Sequence, residues 1–430
     1  MRGGTVRPPE RFAKPILPGS LRREAGVDRG GRCGGKGWYK RGMAPRQHDP
    51  WPDTPPTAGA AGRSENGIFV GAGGNAGAWR LLDASANRAG EALRVVEDVL
   101  RFMLDDPHLT ALTKALRHDL TALLASDEVP LRVMLRDVVG DVGPTVPAVN
   151  SLPRTTVSDL LAANAARGEQ ALRSLQECAL VLQPGLASGF ERLRYRLYDI
   201  ERAALVAAQA LKRMHGKTLC VLVDGSDNQA AFVRLVESLF ECGARMVQLR
   251  DKSLPVPALV ERARAALQIA RRRRPDGDAV VLINDRADVA AAVGADGVHT
   301  GALDLPANLC RRVMGPRCIV GRTAHDMAQA QAAVLDGADY LGVGPCFPSS
   351  TKSFASHAPE AFLADVARNV SLPVFAIGGV TLERLDILAP LGIRRVAVAA
   401  AITSAADPAR MAAAFIERLG QIAGPAGGSA

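Results

Sequence analysis

The chain has 430 residues, 47% hydrophobic and 23% charged, a balance that excludes a wholly disordered or fibrous protein. At about 150 residues per domain this length implies two or three domains. No run approaches the roughly 18 consecutive apolar residues of a membrane span, and no apolar core near the N-terminus resembles a secretory signal, so a cytoplasmic protein without membrane contact is expected. The formal charge of +9 is local: residues 1–50 hold 12 Lys and Arg against 4 Asp and Glu, and the remainder is nearly neutral. With few aromatics interleaved, the basic segment lacks stacking platforms, which argues against nucleic acid as a partner. Seven cysteines (Cys33, Cys178, Cys220, Cys242, Cys310, Cys318, Cys346) are odd in number and never form a C-x-x-C pair. They read as reduced, mostly buried thiols.

Residues 1–76 are rich in Gly, Pro and Arg without a sustained period of 2 or 3.6 and are expected to form a disordered leader, with Met43 a second candidate start. Two phosphate-loop look-alikes lie here. Gly30 to Lys36 has the G-x-x-x-x-G-K spacing, but Gly37 stands where a magnesium-binding Ser or Thr belongs. Gly71, Gly73 and Ala76 imitate a dinucleotide fingerprint after an apolar run of only Ile68 to Val70. Both are read as linker.

From about residue 77 to 213 the pattern is helical, with breakers at Pro144, Pro147, Pro153 and Pro184-Gly185, and an all-α domain is expected. An internal echo runs at an offset of 79 residues: Arg88, Ala92, Leu93, Arg94 and Asp98 recur as Arg167, Ala171, Leu172, Arg173 and Glu177, while Glu91 becomes Gln170. On a helix Asn87, Glu91, Arg94, Asp98 and Arg101 share one face, opposite Ala92, Val95, Val96, Val99 and Phe102. Such a stripe is either a solvated, salt-bridged face or half of an anion or nucleotide site between two facing helices.

After His215-Gly216, short apolar runs alternate with helical stretches. The runs are 218–224, 244–249, 279–283, 297–300, 318–323, 340–344, 373–378 and 395–400, separated by segments such as 258–273, 327–335 and 408–419. Eight strand-then-helix units in about 205 residues predict an α/β fold, a (β/α)8 TIM barrel over 214–424, with a doubly wound open sheet as the alternative.

In such a barrel the active site lies at the C-terminal strand ends. The second strand ends in Gln248-Leu249-Arg250-Asp251-Lys252, where a period of 2 turns Gln248, Arg250 and Lys252 the same way as an anion site. Asn284-Asp285 ends the third strand and Asp304 follows the fourth. Carboxylates from adjacent strand ends suit a magnesium ion shared with substrate phosphates. Thr323 closes the fifth strand, with His325 beyond it left without a role. The sixth opens into a loop carrying Ser349, Ser350, Thr351 and Lys352, donors suited to phosphate oxygens. Gly378-Gly379 and Ala399-Ala400 end the last two strands, where this fold recurrently binds phosphate. Two anion sites at one mouth, one metal-assisted, fit an enzyme that joins two phosphorylated small molecules. No convincing Ser-His-Asp or Cys-His arrangement is present.

Over residues 217–420 these motifs resemble the thiamine phosphate synthases, which join hydroxymethylpyrimidine diphosphate to thiazole phosphate: Q-L-R-D-K at 248–252, N-D at 284–285, Asp304, G-x-T-A-H at 321–325, G-P-x-F-x-S-x-T-K at 344–352 and I-G-G at 377–379. The resemblance implies that Gln248, Leu249, Arg250, Asp251, Lys252, Asn284, Thr323 and Lys352 hold the pyrimidine diphosphate, with Arg250, Lys252 and Lys352 assisting its departure. It further implies that Ser349, Ser350, Thr351, Gly379, Ala399 and Ala400 receive the thiazole phosphate, and that Asp285 and Asp304 hold magnesium. Thr323 stands where the family often has Ser, Ala302 where it commonly has Gln, and Ala400 where a Ser usually follows the eighth strand. The alternatives are a thiazole tautomerase and a non-catalytic phosphate-sensing regulator; an isomerase has no use for a magnesium diphosphate pocket.

Residues 78–205 resemble the helical domain fused ahead of this synthase in some bacteria, proposed to be a hydroxymethylpyrimidine phosphate kinase. The resemblance rests on D-A-x-x-N-R at 83–88, A-L-R-V-V-E-D at 92–98, D-V-G at 141–143 and L-R-Y at 193–195. A helical docking module, or one through which the chain forms a homo-oligomer, is the competing reading.

Overall fold

The computed structural model describes residues 75–126, 129–139, 141, 153–224, 228–348 and 357–423. Apart from its last two residues, the expected leader and both phosphate-loop look-alikes lie outside them. Four long helices come first: α1 (Ala76–Phe102), α2 (Pro107–Leu124), α3 (Val157–Leu182) and α4 (Ala187–Arg213).

Their starts follow local chemistry. Asp106 caps α2, its carboxylate accepting the Leu109 N–H at 2.8 Å ahead of Pro107. A reciprocal capping box of Thr156 and Asp159 opens α3. Leu82, Ala86, Ala89, Leu93, Val96 and Leu100 form the buried stripe of α1. Gly168 lets α3 press against α4; a Cβ there would lie 2.9 Å from Leu197 and 3.6 Å from Ala92 of α1.

The polar stripe expected on α1 is a solvated face: Asn87, Glu91, Arg94 and Arg101 are exposed, and so are Arg167, Gln170, Arg173 and Glu177 of the echo. Small apolar residues occupy the α1–α3 crossing, so the stripe lines no anion site between these helices. Phe102, expected on the buried face, is exposed because the helix ends there and the chain turns away.

The barrel follows: β1 (Leu219–Val223), α5 (Gln229–Glu241), β2 (Met246–Leu249), α6 (Val256–Arg273), β3 (Val280–Asn284), α7 (Ala287–Val293), β4 (Gly297–Thr300) and α8 (Ala307–Met314). Its second half is β5 (Ile319–Ala324), α9 (Met327–Leu335), β6 (Tyr340–Val343), α10 (Glu360–Asn369), β7 (Val374–Ile377), α11 (Leu385–Leu388), β8 (Arg395–Val398), α12 (Ala400–Thr403) and α13 (Pro408–Ala423). All eight strands pair in parallel in chain order, and β8 closes on β1. Closure rules out the open doubly wound sheet.

Alternation along each strand divides the core. Val221, Val247, Val281, Val298 and Val320 point out against the helices. Cys220, Leu222, Met246, Leu282, Ile319, Tyr340 and Phe375 fill the lumen, and Met214, just past α4, is fully buried among them. The described cysteines are all free thiols, and burial raises Cys220 and Cys346 to about 12, which leaves them unreactive.

Candidate active site

The lumen parity that seats Met246, Leu282 and Ile319 also turns Gln248, Asn284 and Thr323 inward, nearer the mouth. Gln248 is 3% exposed, and its amide lies against the Tyr340 hydroxyl. Among the described residues its side-chain oxygen has no hydrogen-bond partner, and a buried acceptor left so costs about 1–3 kcal/mol until a donor reaches it. Across the lumen, the His299 Nδ1 is 3.0 Å from the Tyr340 hydroxyl and its Nε2 is 3.0 Å from Thr323 Oγ1.

Gln248, Tyr340, His299 and Thr323 thus form one polar chain across the buried interior. Burial, with the Arg322 and Arg250 charges adding to it, pushes the His299 pKa down to about 4, so the ring is neutral and donates through only one nitrogen. Burial also raises the Tyr340 phenol well above its ordinary value. Neither His299 nor Tyr340 was singled out from sequence. The signal was present in the alternation of Gly297–Thr300, which puts His299 on the face opposite Val298.

At the rim the structure pairs Arg250 with Asp224 and Lys252 with Asp285. Arg250 donates its backbone N–H to Val223 O at 2.9 Å and approaches Asp224 at 3.9 Å. Lys252 pairs with Asp285 at 2.9 Å, although half a turn of loop separates it from β2. Asp285 adopts φ 60°, a left-handed conformation costing about 1–2 kcal/mol, and its N–H donates to His299 O at 2.8 Å. Asp304 sits on the exposed β4–α8 loop, its carboxylate accepting the Gly301 N–H at 2.9 Å.

Two further residues face elsewhere. Leu249 is buried in the wall and contributes only backbone to the rim. The Asp251 carboxylate accepts from Ser253 (N–H at 3.1 Å, Oγ at 2.7 Å) and pairs with Arg262 of α6 at 3.3 Å, which fixes the loop that carries Lys252.

Among the described residues no three His, Cys, Asp or Glu side chains group into a metal cage. Asp285 and Asp304, on the ends of neighbouring strands, are hard oxygen donors and fit a magnesium ion that draws its other ligands from substrate phosphate and water.

The opposite rim is built from backbone. Cys346 N–H donates to Ile377 O at 2.9 Å and Phe347 N–H to Gly378 O at 3.0 Å, joining the loops after β6 and β7. Gly379 has φ 64°, and a Cβ there would sit 2.3 Å from Pro348 O, so only glycine fits. Arg384 lies over the Phe347 ring at 4.9 Å and donates to Gly379 O, bracing the same corner. Ala399 and Ala400 lead into the short α12. Ser349, Ser350, Thr351 and Lys352 lie outside the described residues. His325 is exposed, with Nδ1 2.6 Å from Gly344 O at the root of their loop.

The helical region has its own buried polar groups. Asp83 is 4% exposed and receives Arg136 at 2.7 and 2.9 Å, with Arg132 at 3.5 Å. Glu97 pairs with Arg117 at 2.8 Å. Partial burial and the neighbouring Glu201 carboxylate raise Glu169 to about 7.

Residues 219–402 match the family model for thiamine monophosphate synthase, and residues 80–203 match that of the ThiD2 family. A thiamine-phosphate synthase of Rhodopirellula baltica is 36% identical over 334 residues, covering 75% of this chain and 88% of the relative. One from Gloeobacter violaceus is 38% identical over 343 residues, covering 79% and 96%. Among solved structures, a thiamine phosphate pyrophosphorylase from Pyrococcus furiosus is 28% identical, with a TM-score of 0.43 over 49% of this chain and 98% of that one. With most of the length of such relatives matched, and a closed parallel barrel as the fold, the chain belongs to the thiamine-phosphate synthase family of transferases in thiamine biosynthesis.

Proposed function

We propose that the barrel condenses hydroxymethylpyrimidine diphosphate with hydroxyethylthiazole phosphate, releasing pyrophosphate, in the cytoplasm and with magnesium held by Asp285 and Asp304. The observation that carries this reading is the Lys252–Asp285 pair at 2.9 Å, a cation suited to a diphosphate beside a carboxylate suited to a metal ion. The buried, unpartnered oxygen of Gln248 is suited to a donor on an aminopyrimidine ring.

Magnesium held there by Asp285 and Asp304 would supply positive charge to the departing pyrophosphate. Arg250, Lys252 and Lys352 neutralise the same leaving group, so the methylene–oxygen bond breaks heterolytically and the thiazole nitrogen captures the pyrimidine methylene cation. His299, held neutral between two hydroxyls, adds no charge to a lumen where that cation forms. Asn284 and Thr323 orient the pyrimidine, while the Gly379 corner, Ala399, Ala400, Ser349, Ser350 and Thr351 receive the thiazole phosphate. Asp251 and Leu249 act through the backbone and loop they hold.

We assign residues 77–213 and 214–424 to separate functional units, the first a hydroxymethylpyrimidine phosphate kinase that makes the diphosphate the second consumes. The ThiD2-family match over 80–203 supports this assignment. The test supplies the purified chain with hydroxymethylpyrimidine monophosphate, thiazole phosphate, magnesium and ATP, beside diphosphate without ATP, and follows thiamine phosphate by mass spectrometry. Product in both reactions is expected. Product from the diphosphate alone would leave the helical region a scaffold, and no product in either would favour a regulatory barrel.

A further inference from the structure

Arg322 occupies the x of the G-x-T-A-H motif and has no role in the chemistry above. The lumen parity of β5 belongs to Ile319 and Thr323, so Arg322 projects the other way, from the wall into the space beneath the β4–α8 loop. There its Nη1 lies 2.9 Å from Thr300 Oγ1, 2.9 Å from Gly301 O, 2.9 Å from Leu305 O and 3.5 Å from Asp304 O. One cationic nitrogen therefore gathers four oxygens from residues 300–305. Among the described residues it makes no salt bridge, and burial lowers its pKa. Asp336, whose negative charge also faces it, already accepts the Ala307 N–H at 2.5 Å.

The loop so held is compact. Asp304 N–H donates to Gly301 O at 3.1 Å, the Asp304 carboxylate accepts the Gly301 N–H, and a Cβ at Gly301 would lie 2.8 Å from that carboxylate. A half-buried guanidinium is costly unless its hydrogen bonds are satisfied, and here the oxygens that satisfy it are those of Thr300 and of the loop that carries Asp304.

We propose that Arg322 is the positioning residue for Asp304: from outside the barrel wall it fixes the loop that presents this carboxylate to the cation of the diphosphate site. The proposal rests on the magnesium reading above. Because all four oxygens surround a single nitrogen, a lysine ammonium can replace part of the function, whereas methionine cannot.

The test uses the full chain as wild type, Arg322→Met, Arg322→Lys and Asp304→Asn. Manganese binding in the presence of inorganic pyrophosphate is read by electron paramagnetic resonance, amide hydrogen exchange is followed over residues 300–305, and KM is measured for thiazole phosphate. In Arg322→Met the manganese affinity should fall about tenfold, the typical effect of losing a group that orients a metal ligand. Exchange at Gly301 and Asp304 should rise about as much, with KM for thiazole phosphate within twofold of wild type, and Arg322→Lys should lie between. Unchanged exchange at the loop, or unchanged manganese affinity while Asp304→Asn loses it, overturns the proposal. Equal exchange increases throughout β4 and β5 in both Arg322 variants also overturn it, since they report only a damaged barrel. If the loop loosens in Arg322→Met but Asp304→Asn binds manganese like wild type, the magnesium reading fails while Arg322 keeps its hold on the loop.

Discussion

Acidification should weaken the barrel through His299, and the size of the effect follows from its burial. The unfolded imidazole takes up its proton near pH 6.5, but in the fold it remains neutral until about pH 4. Between those values the unfolded state binds more protons, so stability is fully present above pH 6.5 and is lost progressively as the pH falls toward 4. The 2.5 units between the two values amount to about 3 kcal/mol in total, of which about 2 kcal/mol has gone at pH 5. Urea titrations at pH 7 and pH 5, followed by far-ultraviolet circular dichroism, measure this for wild type and His299→Gln. The substitution removes the titrating group; it should lower stability at pH 7 by breaking the bonds to Tyr340 and Thr323, yet lose about 2 kcal/mol less than wild type on going to pH 5. Parallel losses in the two proteins, or a His299 resonance titrating near 6.5, would refute a neutral, desolvated imidazole.

Three further outcomes are expected. Glu169, raised to about 7 beside Glu201, holds its proton in the fold at pH values where the unfolded chain has released it, so it costs stability as pH rises from 4.5 through 7. Solvent screening of this partly exposed pair reduces the effect to about 1 kcal/mol, and Glu169→Gln should be more stable than wild type by that amount at pH 8 in thermal unfolding. At Gly321 an added Cβ would lie 2.1 Å from the Tyr340 ring, so Gly321→Ala should cost about 1–3 kcal/mol and, by displacing the tyrosine from His299, reduce turnover; an unchanged melting temperature contradicts the packing described. Lys352→Ala should lower kcat for thiamine phosphate formation far more than it raises the KM for thiazole phosphate, whereas equal loss of binding for both substrates with intact chemistry would remove its assigned role.

The sequence made the barrel legible because its signal is periodic and repeated: the apolar runs at 297–300 and 395–400 begin where β4 and β8 begin, and 327–335 is α9 residue for residue. Rim residues were readable because position after a strand fixes them; Lys252 and Asp285 were named separately and meet in space. What sequence could not supply was cross-barrel pairing. His299, Tyr340 and Thr323 come from three strands spread over 42 residues, and no local pattern brings an imidazole between two hydroxyls. Arg322 escaped for the complementary reason, since its acceptors are mostly backbone oxygens, which carry no sequence identity. On α1 the polar stripe left both a solvated face and a site open, but Asp83 and Glu97, outside that stripe, are the charges the helix buries.

The way the helices meet the barrel explains how both can share a chain without obstructing the mouth. Arg213 of α4 pairs at 3.1 Å with Asp339, fully buried at the start of β6, and reaches Cys318 O ahead of β5. Arg202 donates to Leu335 O at the end of α9, and Asp106, the cap of α2, accepts the Ser371 hydroxyl just before β7. Each of these anchors precedes a strand, and Met214 then enters the lumen beneath Tyr340. Among the described residues these anchors lie at the N-terminal ends of the strands, the face this fold uses for stability, while the residues proposed to bind substrate stand at the other. Arg311 of α8 also pairs with Asp339, at 2.5 Å, so this one buried carboxylate is the shared anion of two arginines whose other acceptors, among them Gln209, Cys318 and Gly337, are neutral oxygens.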